Sequence, residues 1–437
     1  MLASMPDIRP LHAIRYAQGI DPSRVIAPPF DVLDAARKAE LLARDPHNIV
    51  AIDLPHIPPK AAGPDHLYAQ SATTYQAWLK AGVLVKDRRP ALYPYSQAFE
   101  HGGRQHRRRG FFALVKLSPF GDGHVVPHEK TYPGAIEDRL KLMKATGLGL
   151  SPIFGLYEDP RNRVVQMLFH DLGRPMMSGM LDNVRNDLWA MPDAEVENKV
   201  IDFLGLKGVY IADGHHRYTT ALQYKAEMEK RNGGPLPPAH PANWCLFVLV
   251  SMHDPGLLVH PTHRLIGSLK GFSIPAFAAA IAPHFEVAEA PFTVEQIGPF
   301  TNEYLRQHPH TMGLFDGAGR KLYLLRLKNL DVLAALEPGH SEAWRQLDVA
   351  ILQRFLLDEV LVPRFAGGTP IVPGYTADAA DVAPQVDGHR YQIALLLQPT
   401  PVKALEDLGR AKEVMPQKST FFWPKLATGL VINPLED

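Results

Sequence analysis

One stretch constrains this chain more than any other: residues 208–222, Gly-Val-Tyr-Ile-Ala-Asp-Gly-His-His-Arg-Tyr-Thr-Thr-Ala-Leu. Val209, Tyr210, Ile211 and Ala212 make a short run suited to a buried strand. Asp213-Gly214 is a turn, because the carboxylate can accept from free helix amides and glycine lets the backbone bend or approach a ligand. From His215 the composition turns helical, with Tyr218, Ala221 and Leu222 at one-face spacing. A strand running straight into a helix calls for mixed α and β structure. It also sets two imidazoles and a guanidinium in the first turn of a helix. Free amides and the positive end of the dipole favour an anion there. Arg217 adds a planar fork that fits phosphate or carboxylate. Strand-Asp-Gly-helix turns occur without ligands, and histidine pairs occur as satisfied polar residues. Two adjacent histidines followed by arginine at one helix start favour a functional site.

A chain of 437 residues exceeds one ordinary core, so two or three domains are expected. A composition shift puts the boundary near 268, giving domains 1–267 and 268–437. Lys+Arg and Asp+Glu both number 46, and a nucleic-acid footprint or a polybasic membrane surface would skew that balance. Small-molecule chemistry is expected, with neither nucleic acid nor membrane as a partner; a homodimer is left open. The single cysteine, Cys245, lies in the apolar run 244–250 and reads as a core thiol. No basic and apolar leader is seen, and no apolar run approaches the roughly 20 residues of a membrane span. A cytoplasmic protein is the expectation.

Val25 to Ala27 reads as a strand broken by Pro28-Pro29, which present Phe30 and Asp31 on a stiff turn. Asp31 is either a capping carboxylate or a site carboxylate, and the residues alone leave both open. A helix is expected from Asp34, a good N-cap, to about Arg44, and a strand over 48–54. Another helix covers 65–82, and a hairpin pairs 91–99 with 110–116. Arg104, Arg107, Arg108 and Arg109 read as its solvated end. His128 and Glu129 converge only in a loop, where Glu129 suits a general base and His128 an anion or metal ligand. Asp138 and Arg139 lie on an amphipathic helix with Ile136, Leu140 and Met143 inward. His260, His263 and Arg264 repeat the pairing of imidazole with guanidinium, though Pro261 argues against one helical metal face. Near the end, Lys418, Ser419, Thr420 and Lys425 put cations and hydroxyls in a proline-bounded loop, which either contacts an anion or exists to pack Phe421, Phe422 and Trp423. The loop lacks the glycine-rich frame of a P-loop.

These motifs, Ala27-Pro-Pro-Phe-Asp-Val32, His128-Glu129 with Thr131, Asp138-Arg139, Ala212 to Tyr218, Pro261 to Arg264, Met415 to Thr420 and Pro424-Lys425, run in order from end to end. The whole chain resembles a prokaryotic family known as domain of unknown function one-thousand-and-fifteen. That family usually has Tyr where this chain has Phe30, so one hydroxyl is lost here. More remotely, Asp213 to Arg217 is similar to the phosphate-binding motif of the free serine kinases of the ParB/sulfiredoxin superfamily. The resemblance implies an α+β fold with a ParB/sulfiredoxin-like core carrying insertions, followed by a C-terminal α/β domain. It implies a phosphotransferase acting on a small hydroxylated metabolite, serine first, with ADP, ATP or pyrophosphate as donor and Mg²⁺ bridging oxygens. His215, His216 and Arg217 would meet phosphoryl oxygens at Gly214. Asp213 would orient an imidazole or hold the ion, and Glu129 or Asp31 would take the proton. His128, Arg139, His263, Arg264, Lys418, Ser419 and Thr420 are further candidate contacts. The rival readings are a metal-dependent hydrolase using His128, His215, His216, His260 or His263, and a non-catalytic nucleotide-binding module.

Overall fold

The computed structural model describes residues 7–122, 124–131, 133–191, 193–387 and 390–436. The fold is mixed α and β, and it divides into two units. The first comprises Met1–Pro127, Thr131–Leu258 and Pro424–Asp437; the second comprises His128–Lys130 and Val259–Trp423. The composition shift near 268 thus lies inside the second unit. The division falls after Leu258, and the first unit takes back the segment from Pro424.

In the first unit, β1 (Ile8–Arg9) is followed by the short helix α1 (Pro22–Val25), α2 (Ala35–Arg44), α3 (Val50–Asp53) and α4 (Asp65–Lys80). The Asp34 carboxylate caps α2 by accepting from the Arg37 amide at 2.8 Å. Two expected strands are absent. Residues 22–25 are helical, and Ala27 makes only an isolated bridge to Thr428. The apolar run after Asn48 is α3, because the Asn48 side chain overrides strand propensity. Its Oδ1 accepts from the Val50 amide at 3.1 Å, while its Nδ2 donates to the carbonyls of Arg24 at 2.8 Å and Ile26 at 3.1 Å.

The expected hairpin forms as β2 (Tyr93–His101) and β3 (Arg104–Lys116). After β4 (Val125–Val126) come α5 (Pro133–Thr146), β5 (Ile153–Tyr157), β6 (Met177–Leu181), β7 (Val184–Leu188), β8 (Val209–Asp213), α6 (His215–Asn232) and β9 (Trp244–Ser251). Among the described residues nine strands form one mixed sheet in the order β4-β8-β5-β9-β3-β2-β7-β6, with β1 pairing on β3. Alternation sends Phe111, Ala113 and Val115 of β3, Val209 and Ile211 of β8, and Phe247 and Leu249 of β9 to one core. Tyr218 and Ala221 of α6 pack into the same core, which fixes the helix against the sheet. The opening turn of α6 therefore lies where β8 ends, the usual place for sites in open sheets.

The second unit holds β10 (His263–Ile266), α7 (Ile274–Ile281), β11 (Phe285–Glu289), β12 (Thr311–Asp316), β13 (Lys321–Leu327), β14 (Gly374–Thr376), β15 (Ile393–Leu396) and α8 (Lys403–Ala411). Its strands form an antiparallel sheet in the order β11-β13-β12-β15-β10-β14 around Leu265, Phe315, Leu324 and Leu396. Among the described residues no helix is long and apolar enough to cross a membrane.

Candidate functional site

Gly214 joins β8 to α6 in the left-handed region, at φ 101° and ψ 25°. As N-cap, Gly214 supplies no capping side chain, and the first turn of the helix carries no acid. That turn holds His215, which is buried, His216, which is half-buried, and Arg217. Arg217 is turned inward. Its Nη1 donates to the Pro152 carbonyl and its Nη2 to Asp213 Oδ2 at 3.2 Å. The guanidinium lies on the Gly214 backbone, where a side-chain carbon would stand 3.1 Å from its Cζ. In this arrangement the fork expected to receive phosphate instead ties the end of β8 to the residue before β5. Asp213 also stands 3.6 Å from the Lys425 ammonium, so one carboxylate faces two cations.

Beneath this turn lies a buried ionic cluster. Arg139 Nε donates to Asp138 Oδ2 at 2.8 Å, and its Nη1 donates to the Asp53 carbonyl at 2.6 Å and to Asp53 Oδ1 at 3.3 Å. Asp138 also accepts from the Tyr68 hydroxyl at 2.7 Å, and Asp53 from the Ser151 hydroxyl at 3.0 Å. Burial raises the Asp53 carboxyl, opposed by Arg139, Ser151 and Arg217. Arg139, a candidate ligand contact from sequence, is thus engaged within the protein. Its guanidinium lies 3.9 Å over the Phe30 ring, a use of residue 30 that needs a ring face and no hydroxyl. Asp31 follows on a one-turn 3₁₀ helix and is half-buried, 3.6 Å from Lys60. Phe30, Asp53, Arg139, Ser151, Arg217 and Thr220 line a cavity of ≈ 40 Å³, room for about three waters.

Lys425 reaches Asp213 because the sheet grips its backbone. Gln97 Nε2 donates to the Lys425 carbonyl at 2.9 Å, and Arg108 Nη2 donates to the Pro424 carbonyl and to Gln97 Oε1. Asn186, Gln97 and Arg108 stand opposite one another on β7, β2 and β3, all buried. Arg108 lies 4.7 Å over the Phe154 ring, and burial brings its guanidinium down to about 10. Only part of the basic run is a solvated hairpin end. Arg104 and Arg107 are exposed, whereas alternation turns Arg108 to the interior.

The other candidates lie in the second unit. The buried His128 ring places Nε2 2.9 Å from the Thr420 hydroxyl and 4.0 Å from Glu129 Oε1. The His128 carbonyl accepts from the Met415 amide at 2.8 Å. Arg264 donates to the carbonyls of Thr262 and Gln417 and is buried, which brings it down to about 10 against the raising influence of Tyr375 and Glu129. His263 is fully buried and accepts the Leu397 amide on Nδ1 at 3.2 Å. Burial beside Arg264 and His260 lowers it to about 3, so the ring is neutral. A sealed neutral imidazole is a structural acceptor and not an anion contact. Ser419 is buried, with its hydroxyl donating to the Pro416 carbonyl, while Lys418 is exposed. In the loop read either as an anion contact or as a packing element, Ser419 is thus engaged within the protein, its carbonyl also accepting from the Thr400 hydroxyl at 2.7 Å. Among the described residues no three His, Cys, Asp or Glu side chains gather as a metal site.

A family model described as "Protein of unknown function (DUF1015)" matches residues 8–350. The chain belongs to the DUF1015 family. No curated protein matches it. Among solved structures, this DUF1015 chain is similar to a free serine kinase in complex with AMP at 13% identity, over 73% of this chain and 92% of that one, with a TM-score of 0.33. It is also similar to SbnI with C-terminal truncation from Staphylococcus aureus, at 12% identity over 74% and 87% with a TM-score of 0.35. A conserved hypothetical protein from Pyrococcus furiosus shows 14% identity over 73% and 95%, with a TM-score of 0.31.

Sequence reasoning about this DUF1015 member brought Asp213, Gly214, His215, His216 and Arg217 to one turn. It offered Glu129 as a candidate base and His128, Arg264 and Thr420 as candidate contacts of the same site, and these four lie in the second unit. It missed Asp53, Ser151, Gln97 and Asn186. For the last two the one available signal was a polar residue on strands otherwise apolar within, at Gln97 between Tyr95 and Phe99.

Proposed function

We propose that the chain is a phosphotransferase. A nucleotide or pyrophosphate would bind through its phosphates at the amino end of α6, and a phosphoryl group would pass to the hydroxyl of a small metabolite. The observation that carries this reading is the acid-free first turn of α6, which opens behind a left-handed glycine that supplies no capping side chain. Its amides and dipole attract negative charge. Arg217 and Lys425 both face Asp213 beside that turn. His216, half-buried, is the imidazole best placed to add a donor.

Phosphoryl transfer asks mainly for positioning and charge stabilisation. The acceptor oxygen would bond to phosphorus as the bond to the leaving phosphate breaks, and its proton would pass to a carboxylate. Asp31 is the candidate base in the unit that carries the helix. Serine is the first acceptor to try, on the resemblance of Asp213 to Arg217 to the free serine kinase motif. Mg²⁺ would suit this set as an ion held mostly by phosphate oxygens, with Asp213 as the protein carboxylate that would hold it. When bound it would neutralise charge on the donor.

The test is calorimetric titration with ADP, ATP and pyrophosphate, with and without Mg²⁺, followed by assay of phosphoserine formation. Arg217→Ala is expected to weaken binding by removing a positive charge beside the turn, while circular dichroism stays native. Unchanged affinity in that variant removes the anion site. Binding with no turnover of any hydroxylated acceptor supports the non-catalytic module instead. Asp31→Asn then tests the base: it should lose turnover with binding kept, and unchanged turnover rules Asp31 out.

A further inference from the structure

Beneath the first turn of α6, charge and space are left over in the same place. Asp53 and Asp138 are both buried, and both face one guanidinium, that of Arg139. Two carboxylates against one cation leave this cluster one positive charge short. Arg217, the next cation, is held by Asp213 and the Pro152 carbonyl. Buried charge is costly unless it is paired, and burial accordingly raises the Asp53 carboxyl.

Hydrogen bonding is unfinished there too. A carboxylate offers about four lone-pair positions. Among the described residues the Asp53 carboxylate uses two of them, accepting from Arg139 Nη1 at 3.3 Å and from the Ser151 hydroxyl at 3.0 Å. Arg139 is buried, yet its Nη2 makes no hydrogen bond, because it meets Asp138 Oδ2 at 2.7 Å but off the hydrogen-bonding angle. Asp53, Arg139 and Ser151 all line the cavity of ≈ 40 Å³, and so does Arg217 from the first turn of the helix. The space is that of about three waters, so it admits a charged head group with one or two carbons and no more. A missing cation, spare acceptors and a spare donor thus border one small cavity against the turn read as the phosphate site. A primary ammonium supplies what is lacking, one compact positive charge with three donors.

We propose that this cavity is the acceptor subsite, and that it takes a primary ammonium carried close to the reacting hydroxyl, with Asp53 as its counter-ion. The acceptor class is then a small amino alcohol, whose ammonium enters the cavity while its hydroxyl stays on the Arg217 side. The inference rests on the phosphotransferase reading. Asp53 is a binding residue, and Ser151 is a positioning residue that fixes the Asp53 carboxylate.

The experiment titrates the full chain calorimetrically with L-serine, with ethanolamine and with 3-hydroxypropionate, which is serine without its amino group. Each titration is run with and without ADP and Mg²⁺. Serine and ethanolamine share the ammonium, so binding of either supports the inference, and their ratio tells whether a carboxylate is read as well. 3-Hydroxypropionate is expected to bind about a hundredfold more weakly than serine or worse, since a site built around a donor rejects the analogue lacking it. Asp53→Asn keeps the shape and removes the charge, and should weaken the amine by about ten- to a hundredfold. Because it also relieves the unpaired charge, the free Asp53→Asn chain should melt at or above the wild-type temperature, where a merely structural pair with Arg139 would make it melt lower. Ser151→Ala, expected to lose amine affinity several-fold, supplies the reading if Asp53→Asn does not fold. No binding of either amine, or affinity within about twofold between serine and 3-hydroxypropionate or between wild type and Asp53→Asn, overturns the inference and leaves the anion site at α6 standing where ADP still binds. Absence of ADP binding removes the phosphotransferase reading instead, and amine binding that depends on Asp53 without nucleotide still establishes the cavity as an ammonium site.

Discussion

Replacing Gly214 by alanine adds two separable costs to the folded state. The first is conformational: at φ 101° and ψ 25° an L side chain is strained, by about 1–3 kcal/mol for a non-glycine residue in such a region. The second is steric. The new Cβ would stand 3.1 Å from Cζ and Nε of Arg217 and 3.2 Å from Nη2. That guanidinium cannot simply swing away, because the Pro152 carbonyl and Asp213 hold it. Shifting it by a few tenths of an ångström against those bonds costs about 1 kcal/mol more. Gly214→Ala should therefore lose about 2–4 kcal/mol in urea unfolding followed by tryptophan fluorescence. In an Arg217→Ala background the steric part vanishes, so the same substitution should cost about 1 kcal/mol less. A loss below about 0.5 kcal/mol, or the same loss in both backgrounds, would refute the geometry assigned to this turn.

Arg139→Leu leaves Asp53 and Asp138 buried without their guanidinium, which should cost about 3–5 kcal/mol in the same assay; a loss under about 1 kcal/mol contradicts the cluster. His263 is lowered to about 3 in the fold, against roughly 6.5 when unfolded, so the unfolded chain takes up the proton first as pH falls. Its contribution to stability is present above about pH 6.5 and is lost progressively toward pH 3. His263→Gln should flatten the decline in denaturation midpoint between about pH 6.5 and 5, and an unchanged slope rejects the neutral buried ring. Burial pushes the Cys245 thiol up to about 12. Alkylation at pH 8 should then be slower in the native chain than in urea by on the order of a thousandfold, and comparable rates would place the thiol outside the core.

The motif at residues 209–217 was legible because its signals are local: an apolar run, a turn pair and a one-face helical spacing. The Asp34 cap and the hairpin were legible for the same reason. Asn48 was not, because its effect depends on carbonyls of Arg24 and Ile26 that only tertiary folding brings near. Arg108 was hidden in a basic run, and one of its partner oxygens lies 316 residues away at Pro424. Asp138 and Arg139 look solvated from spacing alone. They are buried because each offsets the charge of the other and Asp53 completes the set. Long-range pairing of polar groups leaves little trace in periodicity, so the chemistry around the turn was harder to read than the turn itself.

The return of residues 424–434 to the first unit has a consequence for biosynthesis. As the ribosome makes this chain, nearly all of the first sheet emerges early, yet Ala27, Ile14 and Leu148-Gly149 wait for Thr428, Ile432 and Asn433-Pro434. Until those arrive the polar row of Asn186, Gln97 and Arg108 lacks the carbonyls it binds in the finished molecule. The second unit can close while the first is still unfinished, so a nascent chain stalled before residue 424 would expose an incomplete first unit to proteolysis.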